Sequence, residues 1–455
     1  MFRPFTTRIA ITTLGVCLLT GCSNTDLIAE PELNFPAAFS ASGSVVPSST
    51  WWKELNRNEI DSLVELAFTN NPSIAATQAR LRQADAVVRR ASASLYPNVS
   101  GDASLGTSST TRDGRTTSES TSGVGLSASY EVDLWGRVRA GRDAAINSRD
   151  AVAMEVHASK QSLAGAVSTT WLQIAEQSER LDLLKKQLDT SIKALEILQL
   201  RARRGQSTSL DIAQQEQQVE SLRGNIIVAE SALIETQNAL AILVGSAPGT
   251  VRTAATGGLP DIDPFPRTGV PAKQLNDRPD VYAAWLRVAA ADRDVAAAIA
   301  DRYPALAISA RGESSAESAA DLFDNWFANL AGNLIAPLID GGARRAEVER
   351  SRGALDEALA RYREVTLDAY GEVESAIVRE RAQRAFLTSV RKQLEQARLA
   401  EERASRNYLR GQESYLRVLD AFTSRQILER TELATRREIA IERVNLYRAL
   451  AAPIR

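Results

Sequence analysis

Cys22 is the residue whose setting points most directly to chemistry. It closes the string Leu19-Thr20-Gly21-Cys22, in which small residues precede a thiol, the pattern of a bacterial lipobox. A thiol is needed there because its sulfur takes a diacylglyceryl group through a thioether, and cleavage then makes the cysteine the new N-terminus. The groups expected on Cys22 are a diacylglycerol and an N-acyl chain such as palmitate, and no other cofactor. The alternative is an ordinary signal peptide in which the cysteine is incidental. Cys17, the only other cysteine, would be discarded with the signal, so no disulfide, zinc or redox framework can be built. The single histidine, His157, lies in a strongly helical stretch and reads as a surface or packing residue. Gly123-Val124-Gly125 falls in a strand pattern and is too weak a signal for a phosphate loop. With carboxylates spread along helices, no enzyme is expected.

The elements before Cys22 fit its role. Arg3 and Arg8 give a positive end, and Ile9 to Leu19 give an apolar run of about eleven residues, short of the roughly 20 that a transmembrane helix needs. Residues 1–21 are read as a signal peptide and 22–49 as a lipidated, extended segment that lets the body stand off from its anchor. Ser23 follows the cysteine where an Asp would favour retention in the inner membrane, so the sorting rule points to the outer one. Acyl chains contribute about 0.8 kcal/mol per buried methylene, which makes a firm hold on outer-membrane lipid. No run of 18 apolar residues follows the signal, so a membrane crossing is expected to use β-strands.

Composition narrows the classes further. The chain has 455 residues, 44% hydrophobic, 24% charged and only 5% aromatic, with a net charge of −2. That is an ordinary folded composition without the basic excess that nucleic-acid binding needs. Few aromatics suggest narrow seams of Ala, Leu and Val rather than one thick core.

The body is written twice. A shift of 207 positions (279 − 72) aligns Pro72 with Pro279, Arg80 with Arg287, Asp85 with Asp292 and Tyr96-Pro97 with Tyr303-Pro304. It also aligns Asp133 with Asp340, Arg137 with Arg344 and Leu243 with Leu450. The first repeat is 50–247, the second 273–455, and 248–272 is a Pro- and Gly-rich linker or strap. Each repeat reads helix, β-hairpin, long helix, tip turn, helix. In the first hairpin Val99, Ala103 and Leu105 run out and Val124, Leu126, Ala128, Tyr130 and Val132 return, with Asp113-Gly114 as the turn. In the second, Leu306, Ile308 and Ala310 face Trp326, Ala328, Leu330 and Leu334. The alternative is two disordered Ser/Thr-rich loops. No proline occurs between Pro97 and Pro248 or between Pro337 and Pro453. Stripes such as Leu181, Leu184, Leu188, Ile192, Leu195 and Leu198 are narrow, like coiled-coil seams. A helix from Arg137 to Arg204 would run roughly 100 Å. Gly205 and Gly411 are the expected helix-to-helix turns.

Four strands of about ten residues each cannot close a barrel, and open edges are not tolerated in lipid. Several copies must therefore contribute, and three give twelve strands around a channel. The fold class expected is mainly α with a small β part.

Several strings carry a resemblance to a known family. Trp51-Trp52-Lys53, Asn71-Pro72, Tyr96-Pro97, the run from Glu131 to Arg139 (EVDLWGRVR) and Asn276-Asp277-Arg278-Pro279-Asp280-Val281 resemble the TolC family of export channels. The similar branch is that of the lipidated, NodT-like outer-membrane factors of RND-type efflux systems. The resemblance covers nearly the whole mature chain. It implies a homotrimer with a twelve-stranded barrel in the outer membrane, an α-barrel tunnel across the periplasm and a mixed belt built from terminal and central segments. It implies as partners a periplasmic adaptor and an inner-membrane RND-type transporter, with this chain as passive conduit for drugs or other small toxic compounds. By residue-for-residue match, Asp420, Asp211 and Tyr408 fall at family gate positions, and rings of Asp420 would favour cations. Where the best-known member of the family has a basic residue two places after the second tip glycine, this chain has Glu413, so its closing bonds must differ. Arg203, Arg204, Arg410 and Arg417 are the nearby candidates for tip and adaptor contacts, or are simply solvated helix ends. A type I protein-secretion channel and a structural, envelope-tethering coiled-coil lipoprotein are the alternatives.

Overall fold

The computed structural model describes residues 34–44, 48–253, 255, 257–262 and 265–450; the signal and Cys22 lie outside them. A 3-10 turn at Trp51–Leu55 leads to α1 (Asn58–Asn70) and α2 (Pro72–Ala93), then β1 (Asn98–Arg112) and β2 (Arg115–Val132). Next come α3 (Arg137–Arg203) and α4 (Ser209–Leu243). After the central stretch follow α5 (Pro271–Asn276), α6 (Pro279–Ala300), β3 (Ala305–Ala316), a 3-10 turn at Ala319–Asp321 and β4 (Phe327–Ile335). The chain closes with α7 (Ala343–Leu409) and α8 (Tyr415–Leu450). It forms two compact units, and each draws on both halves of the sequence.

The first unit holds Asp85–Ser148 and Arg287–Ala358. Its centre is one antiparallel sheet in the order β1-β2-β3-β4. Asp113 and Gly114 have φ of 51° and 74°, as expected of a two-residue turn that needs both centres left-handed. The strands depart from the expected ten residues: β1 has 15 and β2 has 18, whereas β3 has 12 and β4 has 9. β3 pairs with β2 only from Ser122 onward. Residues 106–112 and 115–121 therefore continue as a two-stranded ribbon, about 24 Å long at ~3.4 Å per residue. Here both faces are rich in Ser and Thr, so no alternation of polarity revealed these residues as strand. Cross-strand hydroxyl pairs line it, Ser109 with Ser118 at 2.8 Å and Thr111 with Thr116 at 2.9 Å.

The four-stranded part has two unlike faces. The pairing register puts Val99, Ala103 and Leu105 on one face with Val124, Leu126 and Ala128. Ile308 and Leu306 of β3, and Leu330 and Leu334 of β4, share it. No Asp, Glu, Lys or Arg of the four strands points to that face. Leu105 and Leu330 are 85% and 77% exposed, an apolar surface that the chain itself does not cover.

Matching carboxylates start the two long helices. Asp133 accepts the amides of Val138 and Arg139 at 3.1 and 3.0 Å, and Asp340 accepts those of Gly342 and Arg344 at 2.9 and 3.3 Å. Each satisfies at least one N–H group that the first helical turn leaves unpaired. Burial alone would push the Asp133 carboxyl up. The two amides and the Arg139 guanidinium outweigh it and hold the group below the ordinary carboxylate range. Trp135 stacks on Tyr303 at 4.9 Å and donates its indole N–H to the Pro304 carbonyl at 2.8 Å.

The second unit is helical. One buried cluster joins Trp51, Trp52, Ile60 and Val64 to Trp171 and Leu172 of α3, Leu240 of α4 and Val444 and Tyr447 of α8. Two of its three buried indoles are satisfied: Trp51 Nε1 donates to Gln161 at 2.7 Å and Trp171 Nε1 to Glu59 at 2.9 Å, whereas Trp52 Nε1 meets no acceptor among the described residues. The central stretch read as a linker or strap adds Leu259 and Ile262 to this core, so it is a packed strap. Residues 34–44 also differ from the extended stand-off expected of them. Phe39 is buried beside Val373 and Ile377, and the Ser40 amide donates to Glu374 at 2.9 Å.

Along α3 the seam is narrow, as its periodicity required, with Leu184 and Leu198 buried and Gln187 and Ser191 buried among them. One expectation needs correcting. An 18-residue window of α4 has mean hydropathy 1.4, so a stretch apolar enough to cross a membrane does follow the signal. Glu230 and Glu235 interrupt it and hid it from a search for consecutive apolar residues.

Candidate functional site

The helix-to-helix turns fall where the glycines placed them. Gly205 and Gly411 have φ of 72° and 74°, which a side chain would make costly. Gln206 N donates to Arg201 O and Gln412 N to Asn407 O, each at 2.9 Å. These bonds close the ends of α3 and α7 in the manner of a Schellman cap.

Between the turns lies a bonded cluster drawn from both hairpins. Thr208 and Asp211 form a capping box at the start of α4. Asp211 Oδ2 accepts the Thr208 amide at 2.9 Å and the Ser207 hydroxyl at 3.0 Å. Tyr408, on the other hairpin, donates its hydroxyl to Ser207 Oγ at 3.4 Å. The Arg201 guanidinium stands 5.0 Å over the Tyr408 ring. Ser207 thus brings Tyr408 and Asp211 into one network.

A second tyrosine ties the hairpins more firmly. Tyr415, the first residue of α8, is buried and donates its hydroxyl to Gln215 Oε1 at 2.6 Å. Gln215 Nε2 in turn donates to the Ser191 carbonyl at 2.7 Å. Burial pushes the Tyr415 hydroxyl well above the ordinary tyrosine range, and Tyr408 and Asp211 act in the same direction. The group therefore remains a donor throughout physiological pH. Farther along, Arg425 Nη1 donates to Glu429 at 2.6 Å, and its Nε bonds Glu401 of α7. Arg430 Nη1 donates to Gln187 of α3 at 2.8 Å.

The sequence-derived residues do not all meet. Asp211 and Tyr408 are in the cluster, while Asp420 stands apart and exposed on α8. Arg203, Arg204, Arg410, Arg417 and Glu413 are exposed around the turns, and it is Arg201 that engages an aromatic ring. Tyr415 and Gln215 escaped the sequence reading. Tyrosines seven residues apart astride Gly411, with Arg201 and Thr208 at the aligned places of the first repeat, were the available signal.

The Arg-Pro-Asp string has a structural explanation. Arg278 is buried and donates to Asp280 at 2.6 Å, to Glu372 of α7 at 3.0 Å and to the Ala449 carbonyl of α8 at 3.2 Å. It staples the start of α6 to two other helices.

A sheet with one uncharged apolar face, carried by a chain of long helices with cross-bonded turns, defines a channel-forming protein of the outer membrane. The chain belongs to the outer membrane efflux protein family, whose model matches residues 63–246 and 270–452. It is 32% identical over 438 residues to the pyoverdine export outer membrane protein OpmQ of Pseudomonas putida, covering 92% of this chain and 91% of that one. It is 28% identical over 457 residues to the outer membrane protein OprJ of Pseudomonas aeruginosa, covering 96% and 93%. The fold is similar to that of the outer membrane protein VceC from Vibrio cholerae, with a TM-score of 0.83, 24% identity and coverage of 90% and 100%. This protein is thus an outer-membrane channel component of an efflux system.

Proposed function

We propose that three copies of the chain close a twelve-stranded barrel in the outer membrane and continue it as a helical tunnel in the periplasm. The observation that carries this reading is the sheet. Its apolar face suits hydrocarbon, while β1 and β4 leave unpaired edges that lipid does not tolerate. Joining the β4 edge of one copy to the β1 edge of the next removes every edge. A duplicated origin of the two halves is supported by their equal helices, 67 residues in both α3 and α7 and 22 in both α2 and α6.

In this reading the chain is a passive conduit in a tripartite system. A periplasmic adaptor and an inner-membrane RND-type transporter supply recognition and energy, and drugs or other small toxic compounds are the cargo. Cys22 carries the lipid that sorts the chain to the outer membrane. The tips form the gate: Tyr408, Asp211 and Tyr415 hold the hairpins together, and rings of Asp420 narrow the pore and favour cations. Gly205 and Gly411, with Arg203, Arg204, Arg410 and Arg417, present the turns to the adaptor.

Single-channel recording of Asp420→Ala in planar bilayers tests the gate, and unchanged conductance and cation preference would sink it. A deletion strain tests the cargo. Raised drug sensitivity with normal protein secretion is expected, whereas lost secreted proteins would favour a type I secretion channel. A second cargo reading, a secreted small metabolite, is favoured by the 32% identity to a pyoverdine exporter, and metabolite retained in the periplasm of the deletion strain would support it.

A further inference from the structure

The polar face of the sheet holds a feature that neither the membrane nor the tips use. Asp102 of β1 and Arg311 and Glu313 of β3 cluster there. Arg311 Nη2 lies 3.6 Å from Asp102 Oδ2, and Arg311 Nε donates to Glu313 Oε2 at 2.5 Å. β1 and β3 are not neighbours, since β2 runs between them. The register sets Gly125 of β2 opposite both Asp102 and Glu313. A Cβ at Gly125 would stand 2.9 Å from Asp102 Oδ1, and one at Gly123 would stand 2.9 Å from Ser104 Oγ. The Gly123-Val124-Gly125 string is therefore the floor over which this polar row lies, with Val124 turned to the apolar face.

The cluster stands out from its surroundings. In the four-stranded part, the only other charged side chain on that face is Glu131, and it bonds Arg137 at 2.6 Å. Asp102, Arg311 and Glu313 are 51%, 51% and 41% exposed, so they face water. Two carboxylates against one guanidinium leave one excess negative charge in each chain.

We propose that three copies of Asp102–Arg311–Glu313 form a charged collar on the lumen wall of the barrel that sets the ionic preference of the channel's outer part. This rests on the barrel reading above, since only closure turns the polar face into a pore wall. Negative rings concentrate cations and slow anions. Arg311 tempers the ring, and Gly125 is a positioning residue that lets Asp102 reach it. The solutes favoured are cationic or zwitterionic rather than polyanionic. The collar is separate from the Asp420 position on α8.

The test is the reversal potential of the full-length channel in planar bilayers under a KCl gradient, after heat-modifiable trimer migration is checked for each protein. Arg311→Gln is expected to raise the potassium-to-chloride permeability ratio about two-fold or more. Asp102→Asn with Glu313→Gln leaves Arg311 alone and should turn the preference toward chloride. Arg311→Lys should keep the wild-type ratio, and Gly125→Ala should change it without altering any charge. Should the double variant fail to assemble, Glu313→Gln alone must lower the ratio. Conducting Arg311→Gln and acid-to-amide channels with wild-type ratios would overturn the collar. A wild-type protein that neither forms trimers nor conducts would overturn the barrel reading instead.

Discussion

The Tyr415 hydroxyl donates to Gln215 Oε1 at 2.6 Å across the two helical hairpins, in a buried setting. Removing one partner of a buried bond costs about 1–3 kcal/mol, because the other is left unsatisfied. Tyr415→Phe should therefore loosen the tips while preserving the edge-on ring packing against Tyr408, 5.4 Å between centroids. The expected result is a higher open probability in planar bilayers and greater sensitivity of cells to bulky antibiotics. Wild-type closure in this variant would remove Tyr415 from the gate.

Glu380 and Arg443 form a nearly inaccessible bidentate pair at 2.7 and 3.0 Å, and Arg384 also donates to Glu380 at 2.9 Å. Glu380→Leu leaves the Arg443 guanidinium buried without its carboxylate, at a cost of about 3–5 kcal/mol. Arg443→Met should cost less, because Glu380 keeps Arg384. Calorimetric unfolding of the two variants checks the order, and the reverse order would show that Arg443 acts chiefly through its guanidinium, 5.4 and 5.7 Å over the Phe265 and Tyr447 rings.

The cap at Asp133 predicts a pH dependence. Its carboxyl is held below the ordinary carboxylate range, so the stability it contributes is complete above that range. It is lost as pH falls through the lower, folded-state value. Amide exchange at Val138 and Arg139 should accelerate in that acid range. Asp133→Ala should show fast exchange at neutral pH already, with a loss of about 1 kcal/mol typical of a missing cap.

Cys22→Ser tests the anchor. The variant should not incorporate labelled palmitate, and its delivery or trimer yield should fall. The conductance of whatever trimer does assemble should match the wild type, because the strands hold the channel in lipid. Palmitate labelling that persists would exclude Cys22 as the acylated residue.

Much of the fold was legible because its signals are local. Pro72 and Pro279 open helices, Tyr96-Pro97 and Tyr303-Pro304 close them, and Gly205 and Gly411 end the long ones. Strand alternation was readable wherever one face is apolar. It failed along residues 106–121, where both faces are hydroxylated, and the strands proved longer than expected. At the tip the turn glycines, Asp211 and Tyr408 were legible by family resemblance. Tyr415 and Gln215 were not, since a contact between residues 200 positions apart leaves no periodic trace. The docking of Phe39 and Leu259 was missed for the same reason.

α3 and α7 have 67 residues each, and each runs from a strand of the same sheet to a turn bonded to the other hairpin. One residue added to either arm would advance its tip by about 1.5 Å and turn its seam by roughly 100°. Tyr408 would then miss Ser207, and Tyr415 would miss Gln215. The arms can therefore change length only in concert. Insertions and deletions should be tolerated in the strand ribbon, while the long helices keep a common gauge.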